Sequence, residues 1–252
     1  MPTRAPSLDP SVSAPPSVLI AAGPTHEPID EVRYVANRSS GRLGIALAEA
    51  AMQRSAPTTL LLGPVALETP TQDPIYSQTD LANADPEQAP DSPLVVRRFR
   101  SSRDLESLLL QEAPDCDVLI MAAAVADFRP ARVHSGKLPR TGDALTLTLE
   151  PVPDLLAMVT PKLKPSSVAI GFALEDDVAS QERALAKMAR KGCHAIVLNP
   201  LATMDSAGID ATILFADGSP ALAPGRLSKE DFAQRLIDVA LGLWATARGD
   251  ES

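Results

Sequence analysis

Cysteine and histidine are scarce in this 252-residue chain, and each scarcity removes a class of protein. Cys116 and Cys193 are too few for a disulfide framework, and His26, His134 and His194 are scattered without metal-ligand spacing, so no structural zinc is expected. No run approaches the roughly 18 apolar residues of a membrane span, and the opening MPTRAPSLDPSVSAPPS lacks the apolar centre of a secretory signal. A cytoplasmic address with no membrane partner follows by default. A Gly-x-Gly-x-x-Gly turn is also missing: Gly23 stands alone after the first apolar run. Tyr34 and Tyr76 are followed four residues on by Arg38 and Asp80, so no Tyr-x-x-x-Lys pair exists. A nicotinamide-dependent oxidoreductase therefore has no motif to rest on.

What is present is enough apolar material for a sizeable core, 45% of residues, with a net charge of −9. That charge is unevenly spread. Residues 66–93 hold six acids, five prolines and no Lys or Arg, which leaves only −3 on the rest. Such a stretch reads as a mobile surface loop, and the first sixteen residues, also with five prolines, read as a disordered tail. No nucleic-acid partner is expected.

Along the chain, short apolar runs alternate with helical patterns. SVLIAAG is followed by a helix over 43–54, TTLLLGPV, the acidic loop, LVVRRF and a helix over 104–112. DVLIMAAAV, a TLTLEPV strand, SSVAIGFAL, a helix over 181–191 and HAIVLNP come next, with ATILFADGSP and a helix over 229–244 completing the domain. This alternation predicts an α/β fold of one domain over 17–246, a doubly wound, mostly parallel, Rossmann-like sheet. Residues 247–252 read as a short C-terminal tail. In such sheets ligands bind at the carboxyl ends of strands.

Three places beyond strand ends carry unusual chemistry. The first is VRYVANRSSGRLG, where Ser39 or Ser40 reads as the N-cap of a helix and Gly41 and Gly44 leave backbone N–H groups open to an anion. The second follows Asp127, where Arg129, Arg132, Lys137 and Arg140 arrive with no acid between them. The third is the helix over 181–191, with Arg183, Lys187, Arg190 and Lys191 on one face and Leu185, Met188 and Ala189 opposite. All three are expected on one rim of the sheet, a candidate polyanion site.

AAGPTHEPIDEVRYVANRSSGRLGIALAEAA, AAAVADFRP, the Lys137 region, GFALE and LAKMARKGCHAIVLNP together resemble the phosphopantothenate-cysteine ligase family, also called phosphopantothenoylcysteine synthetase. The resemblance runs from about Ser17 to Asn199 and more weakly to Trp244. It implies a carbon–nitrogen ligase of coenzyme A biosynthesis, standing apart from the decarboxylase to which bacteria often fuse it. The implied reaction joins the carboxylate of 4'-phosphopantothenate to the amine of cysteine through an acyl-cytidylate, with CTP as co-substrate and Mg2+. It also implies a homodimer, for which TLTLEPV is a candidate interfacial strand.

By the same resemblance Lys137 serves cytidylate formation, Asn37 converts the intermediate, and Arg33 holds an anionic substrate group. Gly23, Ser39, Ser40 and Gly41 complete the implied substrate site. Ala122, Ala123 and Asp127 line the base and ribose region, with Pro153, Asp154, Leu155 and Phe172 nearby, while Lys187 and Lys191 reach the triphosphate. The sequence departs from the family at Lys137-Leu138-Pro139-Arg140, where a Lys-x-Lys-Lys run is common. The choice between CTP and ATP and the metal ligands stay open, and a catalytically silent nucleotide-binding homologue remains an alternative.

Overall fold

The computed structural model describes residues 15–66, 94–140, 142, 144–174, 180–200, 206 and 208–249. Almost all of the expected N-terminal tail and acidic loop, and the last three residues, lie outside the described residues. The fold is α/β, built on one seven-stranded sheet in the order β12-β10-β9-β6-β1-β4-β5. Its strands are β1 (Val18–Pro24), β4 (Thr58–Leu62), β5 (Leu94–Arg98), β6 (Val118–Ala124), β9 (Val168–Leu174), β10 (Ala195–Asn199) and β12 (Thr212–Phe215). All neighbours are parallel except the edge pair of β10 and β12.

The sheet is buried on both faces, which is why its central strands are continuous apolar runs. Every residue of β1 is buried. Its alternate side chains go to opposite cores: Val18, Ile20 and Ala22 to one, Leu19 and Ala21 to the other. The first core is closed by α1 (Arg42–Met52) and α5 (Lys229–Gly249), the second by α2 (Ser102–Glu112), α3 (Leu155–Val159) and α4 (Ser180–Lys191). Gly44 of α1 lies so close to β1 that an added Cβ would stand 2.0 Å from the Ala22 Cβ.

α2 starts two residues before the expected boundary, because Ser101 and Asp104 form a capping box ahead of it. Glu27, itself buried, reinforces that start by accepting from the Ser102 backbone N–H (2.8 Å) and hydroxyl (3.0 Å). On α4 the buried residues are Ala184 and Met188, whereas Leu185, expected on the apolar face, is 43% exposed. The helix docks through a narrow i, i+4 seam, so the broader apolar face is not used.

Six short strands stand outside the main sheet as three antiparallel ribbons. β2 (His26–Pro28) pairs with β3 (Tyr34–Ala36), and β7 (Phe128–Pro130) pairs with β8 (Leu149–Pro151). The expected TLTLEPV strand is thus limited to three residues and joins a ribbon, not the sheet. A third ribbon pairs β11 (Gly208–Ile209) with β13 (Leu227–Ser228). Among the described residues no helix is long and apolar enough to cross a membrane.

Candidate functional site

The chain leaves β1 toward β4 on one side, while β6 and β9 extend the sheet on the other, so the strand order reverses at β1. A crevice opens outside the carboxyl ends of strands at such a switch point. Ala22, Gly23 and Pro24 stand in register with Ala122, Ala123 and Ala124, so small residues form its floor. Thr25, fully buried, fixes the two strand ends together by accepting from the Ala126 N–H at 3.0 Å.

A cavity of about 720 Å3 fills this crevice. Its walls come from Gly23, residues 37–44, 121–127, 152–156 and 172–174, and the α4 cations Lys187, Arg190 and Lys191. The candidates Gly23, Asn37, Ser39, Ser40, Gly41, Ala122, Ala123, Asp127, Pro153, Asp154, Leu155, Phe172, Lys187 and Lys191 are all brought together here. Arg33 and Lys137 are not; they belong to the side lobe made by the β2–β3 and β7–β8 ribbons.

The local geometry corrects one expectation. The N-cap of α1 is Gly41, in the left-handed region at φ 72°, and no side chain caps the helix. Ser39 and Ser40 instead accept from the N–H groups two residues on, Gly41 at 3.3 Å and Arg42 at 3.5 Å. These are turn-forming bonds, which require the backbone reversal that only Gly41 makes without strain. The helix N-terminus therefore faces the cavity with no side chain of the N-cap residue over it and only the long Ser40 contact on the Arg42 N–H, an arrangement that suits an anion.

Asn37 is not a local turn former. Its amide Nδ2 donates to the Val125 carbonyl at 2.9 Å, across to the end of β6, which orients the side chain at the rim. Charge around the cavity is one-sided: Arg38, Arg42, Lys187, Arg190, Lys191 and Lys229 face Asp127 and Asp154. Asp154 caps α3 through the Ala157 N–H (3.3 Å) and pairs with Lys191 (3.2 Å) and Arg190 (3.4 Å). Partly exposed pairs like these are worth about 1 kcal/mol or less and yield readily to a stronger anion.

Arg38, Arg42 and Lys229 escaped the sequence reading as wall residues. The first two flank the Ser-Ser-Gly turn and were legible by proximity; Lys229 arrives from the start of a helix nearly two hundred residues away. The cysteines take no part. Both are buried and outside the cavity wall, and burial pushes the Cys116 thiol up to about 12 and that of Cys193 up to about 11. In the side lobe His26 stacks on Tyr34 with ring centres 3.7 Å apart, and burial, with Arg100 nearby, lowers the His26 pKa below its ordinary value.

Residues 14–243 match the family described as the DNA/pantothenate metabolism flavoprotein C-terminal domain. The coenzyme A biosynthesis bifunctional protein CoaBC of Vibrio vulnificus (strain CMCP6) is 35% identical over 213 residues, covering 82% of this chain and 47% of that protein. A protein from an unknown prokaryotic organism named cysteine/cysteine sulfinic acid decarboxylase is 38% identical over 184 residues, 73% of this chain and 45% of that protein. The chain thus spans about half the length of these curated relatives. The crystal structure of the C-terminal domain of a CoaBC protein superposes with a TM-score of 0.71 at 28% identity, covering 92% of this chain and 96% of that one. Agreement in sequence and in fold, sustained across almost the whole length, identifies the chain as a member of the family of the DNA/pantothenate metabolism flavoprotein C-terminal domain.

Proposed function

We propose that the chain is a phosphopantothenate-cysteine ligase of coenzyme A biosynthesis, using CTP to activate the phosphopantothenate carboxylate as an acyl-cytidylate that the cysteine amine then attacks. The observation that carries this reading is the cavity itself, where six cationic side chains and an uncapped helix N-terminus outweigh two acids at the switch point. Both substrates with which the first step begins are polyanions. Preorganised cations and N–H donors stabilise the charge that develops as pyrophosphate leaves.

Within that reading Lys187 and Lys191 hold the triphosphate, with Lys191 exchanging its bond to Asp154 for phosphate oxygens. Ala122, Ala123 and Asp127 take the base and ribose, beside Pro153, Leu155 and Phe172. The Ser39-Ser40-Gly41 turn and Gly23 bring backbone close to phosphopantothenate. Asn37, anchored by Val125, keeps a second amide hydrogen to orient the acyl group for transfer.

Lys137 assists cytidylate formation from the side lobe. β7 leaves directly after Asp127, and the Val152 N–H returns to the Asp127 carbonyl (2.9 Å) just past β8, so the Lys137 loop springs from the cavity rim. Among the described residues no three acidic, His or Cys groups converge as a metal cage. Mg2+ binds through one or two carboxylates and substrate phosphates, and Asp127 and Asp154 are the acids on the cavity wall that would hold it. When bound, it would neutralise phosphate charge.

The chain acts as a homodimer in this proposal, in the cytoplasm. Val32, Tyr34, Phe128, Val133, Leu145 and Leu149 leave large apolar surfaces exposed around the β2–β3 and β7–β8 ribbons, which a second copy would cover. The deciding experiment is pyrophosphate release with phosphopantothenate, cysteine and each nucleoside triphosphate in turn. Release that requires phosphopantothenate and is fastest with CTP is expected; no turnover with any nucleotide would leave a silent nucleotide-binding homologue.

A further inference from the structure

The loop that carries Lys137 is mounted on one buried carboxylate. Asp30, in the turn between β2 and β3, is only 2% exposed. Its Oδ1 accepts from the backbone N–H groups of Val32 (2.8 Å) and Arg33 (2.7 Å), and its Oδ2 accepts from both Nε (3.0 Å) and Nη2 of Arg33. A further donor comes from 108 residues away, the Leu138 N–H at 3.0 Å. Nη2 of Arg33 in turn donates to the Leu138 carbonyl at 2.8 Å. Both backbone groups of Leu138 are therefore held, one by the acid and the other by the arginine that the acid orients.

The residue before Lys137 is held too. The Gly136 N–H donates to Glu31 Oε1 at 3.0 Å, and the His134 N–H donates to the Ile29 carbonyl at 2.9 Å. Lys137 itself is exposed and lies outside any strand or helix, so its position depends on these flanking bonds. The bonds from Asp30 to Val32 and Arg33 suffice to shape its own turn. Those to Leu138 do something else: they reach only the Lys137 loop. The Arg33 side chain beside it holds the Asp30 carboxyl well below the usual carboxylate range, keeping it charged.

We propose that Asp30 is a positioning residue of the ligase, acting through Arg33 and Leu138 to fix the backbone from which Lys137 reaches the reacting phosphate. The proposal rests on the assignment of Lys137 to cytidylate formation. It also gives Arg33 a task other than gripping a substrate anion, because its Nε and Nη2 edge is occupied by Asp30 and Leu138.

The test measures pyrophosphate release by the full chain as parent, Asp30→Asn, Arg33→Lys, Lys137→Gln and the double variant Asp30→Asn/Lys137→Gln. Misplacing a group by about 1 Å costs on the order of 100-fold. Asp30→Asn and Arg33→Lys are each expected to lose ~10- to 100-fold in kcat with KM for phosphopantothenate and CTP unchanged, and the double variant is expected to match Lys137→Gln alone. Parent-like kcat in Asp30→Asn, or losses that multiply in the double variant, would overturn the positioning role. A raised KM for phosphopantothenate with kcat retained in Arg33→Lys would overturn it as well, by showing that Arg33 grips substrate. If Asp30→Asn does not fold, Arg33→Lys decides, since it keeps the turn's own backbone bonds. Parent-like turnover in Lys137→Gln is a different failure, that of the Lys137 assignment, and the positioning role falls with it.

Discussion

Replacing Gly44 by alanine is expected to destabilise the protein, although the same change elsewhere in a helix stabilises. The new Cβ would stand 2.0 Å from the Ala22 Cβ and 3.4 Å from its Cα. Carbon atoms in contact settle at about 3.5–4.0 Å, so α1 and β1 must separate by roughly 1.5 Å. Both lie in the core, with Ala22 buried and α1 pinned by Ile45, Leu47 and Ala48, so the shift is not absorbed locally. Overpacking of this severity costs about 3 kcal/mol, and removing a helical glycine returns about 1 kcal/mol. The net loss of about 2 kcal/mol corresponds to a fall in Tm of about 4–8 °C for a domain of this size. Gly242 of α5 provides the control: nothing lies within 4 Å of its added Cβ, so Gly242→Ala should raise Tm by about 2 °C. Thermal unfolding followed by far-UV circular dichroism reads both. If Gly44→Ala melts at or above the parent temperature, the close approach of α1 to β1 does not limit side-chain size and the packing argument is wrong.

Asn37→Asp should stop acyl transfer while activation continues, so that phosphopantothenoyl-cytidylate accumulates in quenched reactions analysed by mass spectrometry; product at the parent rate would reduce Asn37 to its anchoring bond with Val125. Lys187→Ala should raise KM for the nucleotide about 10-fold in steady-state measurements, the loss of one charge-assisted contact. Glu27→Ala should cost about 2 kcal/mol in urea unfolding, because it leaves the buried Ser102 N–H and hydroxyl without their partner. Both cysteines should resist a thiol reagent at pH 8 in the native protein and react once it is unfolded, since burial keeps each thiol protonated well above that pH.

The seven strands of the main sheet, four of its five flanking helices, the doubly wound sheet and the carboxyl-end location of the cavity were legible in the sequence, whereas the short helix α3 and the ribbon strands other than β8 were not. The reason is that burial on two faces writes continuous apolar runs such as VLIAAG, and one-sided burial writes helical periods such as Leu43, Ala46, Leu47 and Ala50. Most cavity residues were legible through motif resemblance, because they cluster in short segments that end strands. Other features depended on tertiary contacts. The serine caps expected at Ser39 and Ser40 gave way to Gly41, whose backbone is left-handed and where an added Cβ would stand 2.9 Å from the Val65 side chain, a contact between segments distant in sequence. Leu185 reads as core from its period and is exposed, because the face a helix buries depends on what is packed beneath it. Arg33 and Lys137 carry the charge expected of them, yet the cavity is built without either. Asp30, which joins them, is an ordinary acid in the sequence. Its partner Leu138 lies 108 residues away, and a bond across that distance has no local periodicity to announce it; only folding the β2–β3 and β7–β8 ribbons into one lobe brings acid, arginine and lysine loop together.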